Sequence, residues 1–146
     1  LIQKQCLKPG DILISVKGSL GKIVFMPENI PNNWFVSPSF VVCGIKERES
    51  KKGLNAQYLY KYLMTEMVQA YLKHLNTGGS VPMIRLEDIK KVPVEFGNQF
   101  LYELARNQCV EKHELVRKIA EIKKMLVNLD ADFARQLEQQ TGRKYH

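Results

Sequence analysis

The 146-residue chain lacks several features that would assign it to a class. Its three cysteines, Cys6, Cys43 and Cys109, are odd in number and lack the spacing of a metal site, which indicates free thiols in a reducing compartment. No apolar run approaches the roughly 20 residues that a membrane-spanning helix needs. A glycine-rich cofactor loop and the Asn-Pro-Pro-Tyr string of adenine methylases are also missing. We therefore expect a cytoplasmic protein without its own cofactor, metal or membrane partner.

Acidic residues are in deficit, and the deficit is uneven along the chain. The formal net charge is +7, which favours an anionic partner such as nucleic acid. Residues 1–97 carry 13 Lys and Arg against 8 Asp and Glu, whereas residues 98–146 carry 9 against 7. We therefore expect the first part of the chain to meet the anion.

Glycine and proline residues divide the first part of the chain into short predicted strands and helices. Apolar, β-branched runs predict strands at 11–16, 22–26 and 40–45. Helical spacing of apolar residues then predicts one packed helix, with Asn55 as its N-cap and a stop at residues 77–79. The fold class is therefore predicted as α+β, with a small mixed or antiparallel β-rich domain.

Proline and glycine are absent from residue 98 to residue 140. This stretch predicts one long, coiled-coil-like helix, because apolar residues recur at alternating steps of four and three. Such a seam needs another helix, from a second copy, a longer chain or another subunit. We expect a basic α+β domain at 1–97, a pairing or dimerisation helix at 98–140 and a basic tail at 141–146. The seam residues are Leu115, Ile119, Ile122, Leu126, Leu129 and Phe133.

The turn between the first two predicted strands is bracketed by Gly18 and Gly21. It can bring backbone N–H groups, Ser19 and the flanking Lys17 and Lys22 close to a phosphate chain. The glycine spacing is not that of a nucleotide-binding P-loop. Ser19 to Lys22 also matches a Ser-x-x-Lys string, but that string acts at the start of a helix and here it lies in a hairpin. The turn therefore predicts phosphate contact and no catalysis.

A peptidase remains an alternative interpretation of the same strands. Pro-Gly-Asp-Ile-Leu-Ile followed by Gly-Lys-Ile-Val is similar to the β core of Ser-Lys peptidases of the signal-peptidase and repressor-cleavage type. Those enzymes need a nucleophilic serine upstream, and no serine precedes Leu7 in this sequence.

Two further segments carry candidate DNA contacts. The basic loop at 46–53 is typical of a solvated surface, yet on a basic domain it also suits a phosphate-contacting arm. The turn at 77–80 stops the predicted helix, and its small residues also permit close approach to a DNA backbone. The candidate residues are Lys46, Arg48, Lys51, Lys52, Thr77, Ser80 and Arg85.

Five strings in a fixed order carry a family resemblance. They are residues 7–15 (Leu-Lys-Pro-Gly-Asp-Ile-Leu-Ile-Ser), 18–22 (Gly-Ser-Leu-Gly-Lys), 58–63 (Tyr-Leu-Tyr-Lys-Tyr-Leu), 79–84 (Gly-Ser-Val-Pro-Met-Ile) and 86–94 (Leu-Glu-Asp-Ile-Lys-Lys-Val-Pro-Val). Together with the long helix that follows, the chain resembles the target recognition domain of type I restriction–modification specificity subunits.

The resemblance implies a non-catalytic module that reads double-stranded DNA. Subunits of this family carry two recognition domains separated by paired helices, and they dock a methylase subunit and a motor-nuclease subunit. This chain contains one recognition domain whose N-terminal part is short, so we expect a fragment or a half-subunit that pairs with a second half through its helix. A second hypothesis treats the chain as a helix-mediated assembly module without DNA contact of its own.

Overall fold

The computed structural model describes residues 6–46, 50, 54–76, 80 and 82–142. The strands are β1 (Ile12–Ser15), β2 (Ile23–Phe25) and β3 (Phe40–Cys43). The helices are α1 (Ala56–Leu63), α2 (Glu66–His74), α3 (Leu86–Ile89) and α4 (Gln99–Thr141). These elements confirm the predicted α+β class and the long C-terminal helix. Among the described residues, no helix has an apolar stretch suited to crossing a membrane.

The three strands form one antiparallel sheet with the order β2-β1-β3. Ile12 lies opposite Phe25 on one side and Cys43 on the other, while Ser15 lies opposite Phe40. All four residues of β1 are buried, as expected for a short apolar run at the centre of a sheet. The sheet therefore has two distinct ends, one at Ile12 and one at Ser15, where the β1–β2 turn begins.

Different structures cover the two faces of the sheet. Phe25 shares the face of Ile12, and its ring lies 5.6 Å from that of Tyr60 in α1. Leu13 points to the opposite face because side chains alternate along a strand. There it packs in a cluster with Leu7 and Met26, which the loop between β2 and β3 covers. Helix α1 and this loop thus enclose the sheet, and its Ser15 end leads to an exposed turn.

The single helix predicted after Asn55 is divided into two in the structure, so the prediction of one helix was wrong in this respect. Asn55 is the N-cap as predicted, since its Oδ1 accepts the Tyr58 N–H at 2.7 Å. Thr65 then adopts an extended conformation, and its hydroxyl donates to the Tyr62 carbonyl at 2.8 Å. Gln69 donates from Nε2 to the Leu63 carbonyl at 2.8 Å, which satisfies the end of α1. The spacing of apolar residues, on which the prediction of one helix rested, carries no information about these side-chain hydrogen bonds.

Helix α1 and its N-cap hold the beginning of α4 and the segment before it through two polar contacts and one pair of rings. Asn55 Nδ2 donates to the Tyr102 carbonyl at 3.0 Å, and the Tyr58 hydroxyl donates to the Glu95 carbonyl at 2.9 Å. The rings of Tyr58 and Tyr102 meet edge to face at 4.9 Å. Burial raises the pKa of Tyr58, and the nearby Tyr102, Tyr62 and Glu95 raise it further. The hydroxyl therefore stays protonated and able to donate at neutral pH.

Gly97 lies against this pair of rings, and replacing it should destabilise the first part of the chain. A Cβ at Gly97 would lie 2.9 Å from Tyr58 Cε2 and 3.2 Å from Tyr102 Cε1, closer than rings tolerate. We expect Gly97→Ala to lower the free energy of unfolding by about 1–3 kcal/mol, measured by urea denaturation. Gly44→Ala is the matched control, since within the described part of the chain no atom beyond its two neighbouring residues lies within 4 Å of the added Cβ. Equal stability of the two variants would contradict the close packing at Gly97.

The chain divides into two compact units, Leu1–Arg106 and Asn107–His146. In the described part of the second unit the backbone is helical throughout, up to Thr141. All six residues of the predicted seam are 52% to 68% exposed, so this apolar stripe has no partner among the described residues.

Candidate nucleic-acid interface

The turn between β1 and β2, residues 16–22, is called the hairpin tip below. Gly18 and Gly21 both have positive φ, at 74° and 73°, a conformation that glycine adopts without strain. Ser15 is only 3% exposed, and its hydroxyl donates to the Ser19 carbonyl at 2.6 Å. The Gly21 N–H donates to the Ser15 carbonyl at 2.9 Å. One buried serine therefore fixes the tip on the end of β1.

The hairpin tip combines several groups that are suited to an anion. Ser19, Lys17 and Lys22 are exposed. The backbone N–H groups of Ser19 and Leu20 donate to no acceptor in the part of the chain that the structure describes. Within the same part neither lysine forms an ion pair. Neighbouring amides without acceptors, a hydroxyl and two ammonium groups can together hold phosphate oxygens.

A short segment at residues 82–84 pairs with the hairpin tip and brings further candidate residues to it. Lys17 and Met83 form an antiparallel bridge. The Gly18 N–H donates to the Pro82 carbonyl at 3.2 Å, and the Ile84 N–H donates to the Val16 carbonyl at 2.9 Å. Ser80 and Arg85, both exposed, lie within three residues of this bridge, one on each side. The structure thus joins the turn that contains Lys17, Ser19 and Lys22 to the segment that leads into Arg85.

Helix α2 packs against the hairpin tip at Gly21. Gly21 is buried, and a Cβ there would lie 3.5 Å from Leu72 Cβ and 3.6 Å from Gln69 Oε1. Leu72 is itself fully buried. The tip is therefore fixed by β1, by residues 82–84 and by α2. A site that is ordered before binding loses less entropy on binding.

The structure does not bring Lys46 to this group. β3 ends at Cys43, opposite Ile12, so Lys46 leaves the sheet at the end away from the hairpin tip. Lys46 is exposed and follows the Cys43 end of β3, whereas the hairpin tip follows the Ser15 end of β1. The other four predicted contacts, Arg48, Lys51, Lys52 and Thr77, lie outside the described residues.

The arrangement offers little to a catalytic interpretation. The structure places Ser19 to Lys22 in a turn, whereas the Ser-x-x-Lys chemistry uses the first turn of a helix. Within the described ranges, no group of three or more His, Cys, Asp or Glu side chains could hold a metal ion. Burial raises the pKa of the Cys43 thiol, which disfavours the reactive thiolate. Binding of an anion is the chemistry that the site supports.

The sequence predicted the glycine turn but missed two features that hold it. Ser15 was predicted only as part of a strand, and no pattern identified its hydroxyl as the group that orders the hairpin tip. The bridge between Lys17 and Met83 joins residues 66 positions apart, and no pattern in the sequence predicted it. The apolar Ile-Leu-Ile run before Ser15 was the available signal for burial of that hydroxyl.

Comparisons with known proteins bear on the fold. No family model matches the chain, and no curated protein matches it. The crystal structure of the S subunit of a type I restriction-modification system from M. genitalium matches with a TM-score of 0.69 and 20% sequence identity. The match covers 95% of this chain and 35% of that structure, so the chain spans about a third of its length. The chain therefore has the fold of a domain of a type I restriction-modification S subunit.

Proposed function

We propose that the first part of this chain, residues 1–97, binds double-stranded DNA and serves as a target recognition domain. The observation that carries the proposal is the hairpin tip, where a fixed backbone combines two amides without described acceptors with the exposed Ser19, Lys17 and Lys22. Phosphate contacts would come from Lys17, Lys22 and Arg85, with hydrogen bonds from Ser19 and Ser80.

Two independent observations support DNA as the anion. The positive charge is concentrated in residues 1–97, the part that contains the hairpin tip. The solved structure of the same fold is named as an S subunit of a restriction-modification system. By analogy, this chain would act in the cytoplasm as a specificity subunit or half-subunit, without catalysis of its own. It would direct a methylase subunit and a motor-nuclease subunit to a DNA target.

We propose that residues 98–140 are a spacer helix that pairs with a second specificity half. The exposed seam supports this role, because six large apolar side chains at coiled-coil spacing are otherwise left in water. In a solution of this chain alone the second half would come from another copy. Residues 141–146 would remain a basic tail.

The exposed seam also favours a second candidate, an assembly module that reaches DNA only through other subunits. The two candidates differ in what the isolated chain does with DNA. The assembly module predicts self-association without DNA affinity, whereas the recognition domain predicts both.

Titration of the chain with a fluorescently labelled 30-base-pair duplex of mixed sequence tests the proposed function. Fluorescence anisotropy at a series of salt concentrations gives the affinity and its salt dependence. With three or more phosphates held by Lys17, Lys22 and Arg85, log K should fall with log salt at a slope of about −2.7 or steeper. Absence of binding at about 50 mM salt, or binding that salt does not weaken, would favour the assembly module.

A further inference from the structure

The loop between β2 and β3, residues 26–39, presents two aromatic side chains to solvent. Trp34, the only tryptophan of the chain, is 50% exposed, and the neighbouring Phe35 is 49% exposed. Large aromatic side chains at the surface of a basic domain are candidates for a binding function.

The backbone of Trp34 is fixed although its side chain is exposed. Its carbonyl accepts the Leu7 N–H at 2.9 Å, and its own N–H donates to the Pro31 carbonyl at 3.2 Å. The next residue, Phe35, forms an antiparallel bridge with Cys6. Trp34 is therefore held in place by the segment that precedes β1.

Apolar side chains on both sides of Trp34 anchor the loop to the sheet. Ile30 and Val36 pack on the cluster that includes Leu7 and Leu13. The loop is thus anchored before and after Trp34, so the exposure of the indole does not come from a loose loop. Because the backbone that carries the indole is already ordered, less conformational entropy is lost when a ligand covers it.

The same loop connects Trp34 to the hairpin tip. It ends at Ser39, whose carbonyl accepts the Val16 N–H at 2.8 Å, next to Lys17. Trp34 lies five residues before Ser39, a distance that extended backbone limits to about 18 Å. One helical turn of DNA is about 34 Å long, so the hairpin tip and Trp34 are close enough for a single turn of a duplex to contact both.

We propose that Trp34 contacts the bases of the DNA that the hairpin tip holds by its phosphates. This inference rests on the proposed function, and it names the residue that supplies base contact. An indole in a groove makes apolar contact with a thymine methyl group or wedges against a base step.

The test selects duplexes from a pool with a randomised 12-base-pair core, using the full chain and the Trp34→Ala variant. We expect wild type to enrich a consensus and Trp34→Ala to lose preference at one or two adjacent positions. Affinity for the selected duplex should fall roughly tenfold to a hundredfold. Affinity for a mixed-sequence duplex and the salt slope should not change, because the indole holds no phosphate. The single tryptophan should also lose fluorescence when wild type binds the selected duplex.

Phe100→Ala is the matched control, since Phe100 is an exposed aromatic residue at the start of α4, and it should select the wild-type consensus. Equal thermal melting by circular dichroism establishes that both variants fold. If Trp34→Ala selects the same consensus with the same affinity, the role of Trp34 is overturned while the proposed function stands. If wild type binds no duplex, the proposed function and this inference both fail.

Discussion

The Lys17→Ala/Lys22→Ala variant is expected to bind duplex DNA about 60-fold more weakly than wild type at about 0.1 M salt. Each lysine that neutralises one phosphate contributes about 0.9 to the slope of log K against log salt, so the slope should become shallower by about 1.8. The loss should be the same for every duplex sequence, because phosphate contacts carry no sequence information. Anisotropy titrations at four or more salt concentrations measure both quantities.

Arg117→Ala/Lys124→Ala is the matched control for this variant. It removes the same number of positive charges from exposed positions on α4 and leaves the hairpin tip intact. We expect it to keep the wild-type salt slope to within about 0.5. If the two double variants lose affinity equally, net charge and not the hairpin tip would account for binding.

Charges introduced into the exposed seam should have a comparably large effect on assembly. One chain has a mass of 16.9 kDa, and size-exclusion chromatography with light scattering measures whether it elutes alone or as a pair. We expect the wild-type chain to elute as a dimer and Ile122→Glu/Leu126→Glu to elute as a monomer. A helix pair would bury these carboxylates without partners, at a cost of at least about 4 kcal/mol, or roughly a thousandfold in Kd.

The control places the same charges on another face of the same helix. Val127 and Ala131 are exposed and four residues apart, as Ile122 and Leu126 are, but they lie outside the seam. Val127→Glu/Ala131→Glu should therefore remain dimeric. A monomeric wild-type chain at about 100 μM would contradict self-pairing and indicate that the seam meets a different protein.

Local sequence patterns correctly predicted the elements whose backbone conformation depends mainly on neighbouring residues. The apolar run of β1, the glycines of the hairpin tip and the uninterrupted spacing of α4 each determine a backbone conformation within a few residues. The break between α1 and α2 was missed because it depends on the Thr65 hydroxyl and the Gln69 amide, which have other roles in most helices.

The candidate site was only partly predictable because its assembly is long-range. Lys17, Ser19 and Lys22 belong to one turn, so adjacency in the sequence places them together. The approach of residues 82–84 to the hairpin tip and the departure of Lys46 from it both follow from strand order, which no local pattern encodes. Trp34 was not identified from the sequence, because exposure of an aromatic side chain is a property of the packed structure.

The central claim is that the backbone of the hairpin tip holds DNA phosphates, and amide chemical shifts test it most directly. Spectra of the ¹⁵N-labelled chain are recorded with and without the mixed-sequence duplex. The amide protons of Ser19 and Leu20 are predicted to move downfield together on DNA binding, because a phosphate oxygen replaces water as their acceptor. DNA binding that leaves both amides unmoved while residues elsewhere shift would contradict the claim.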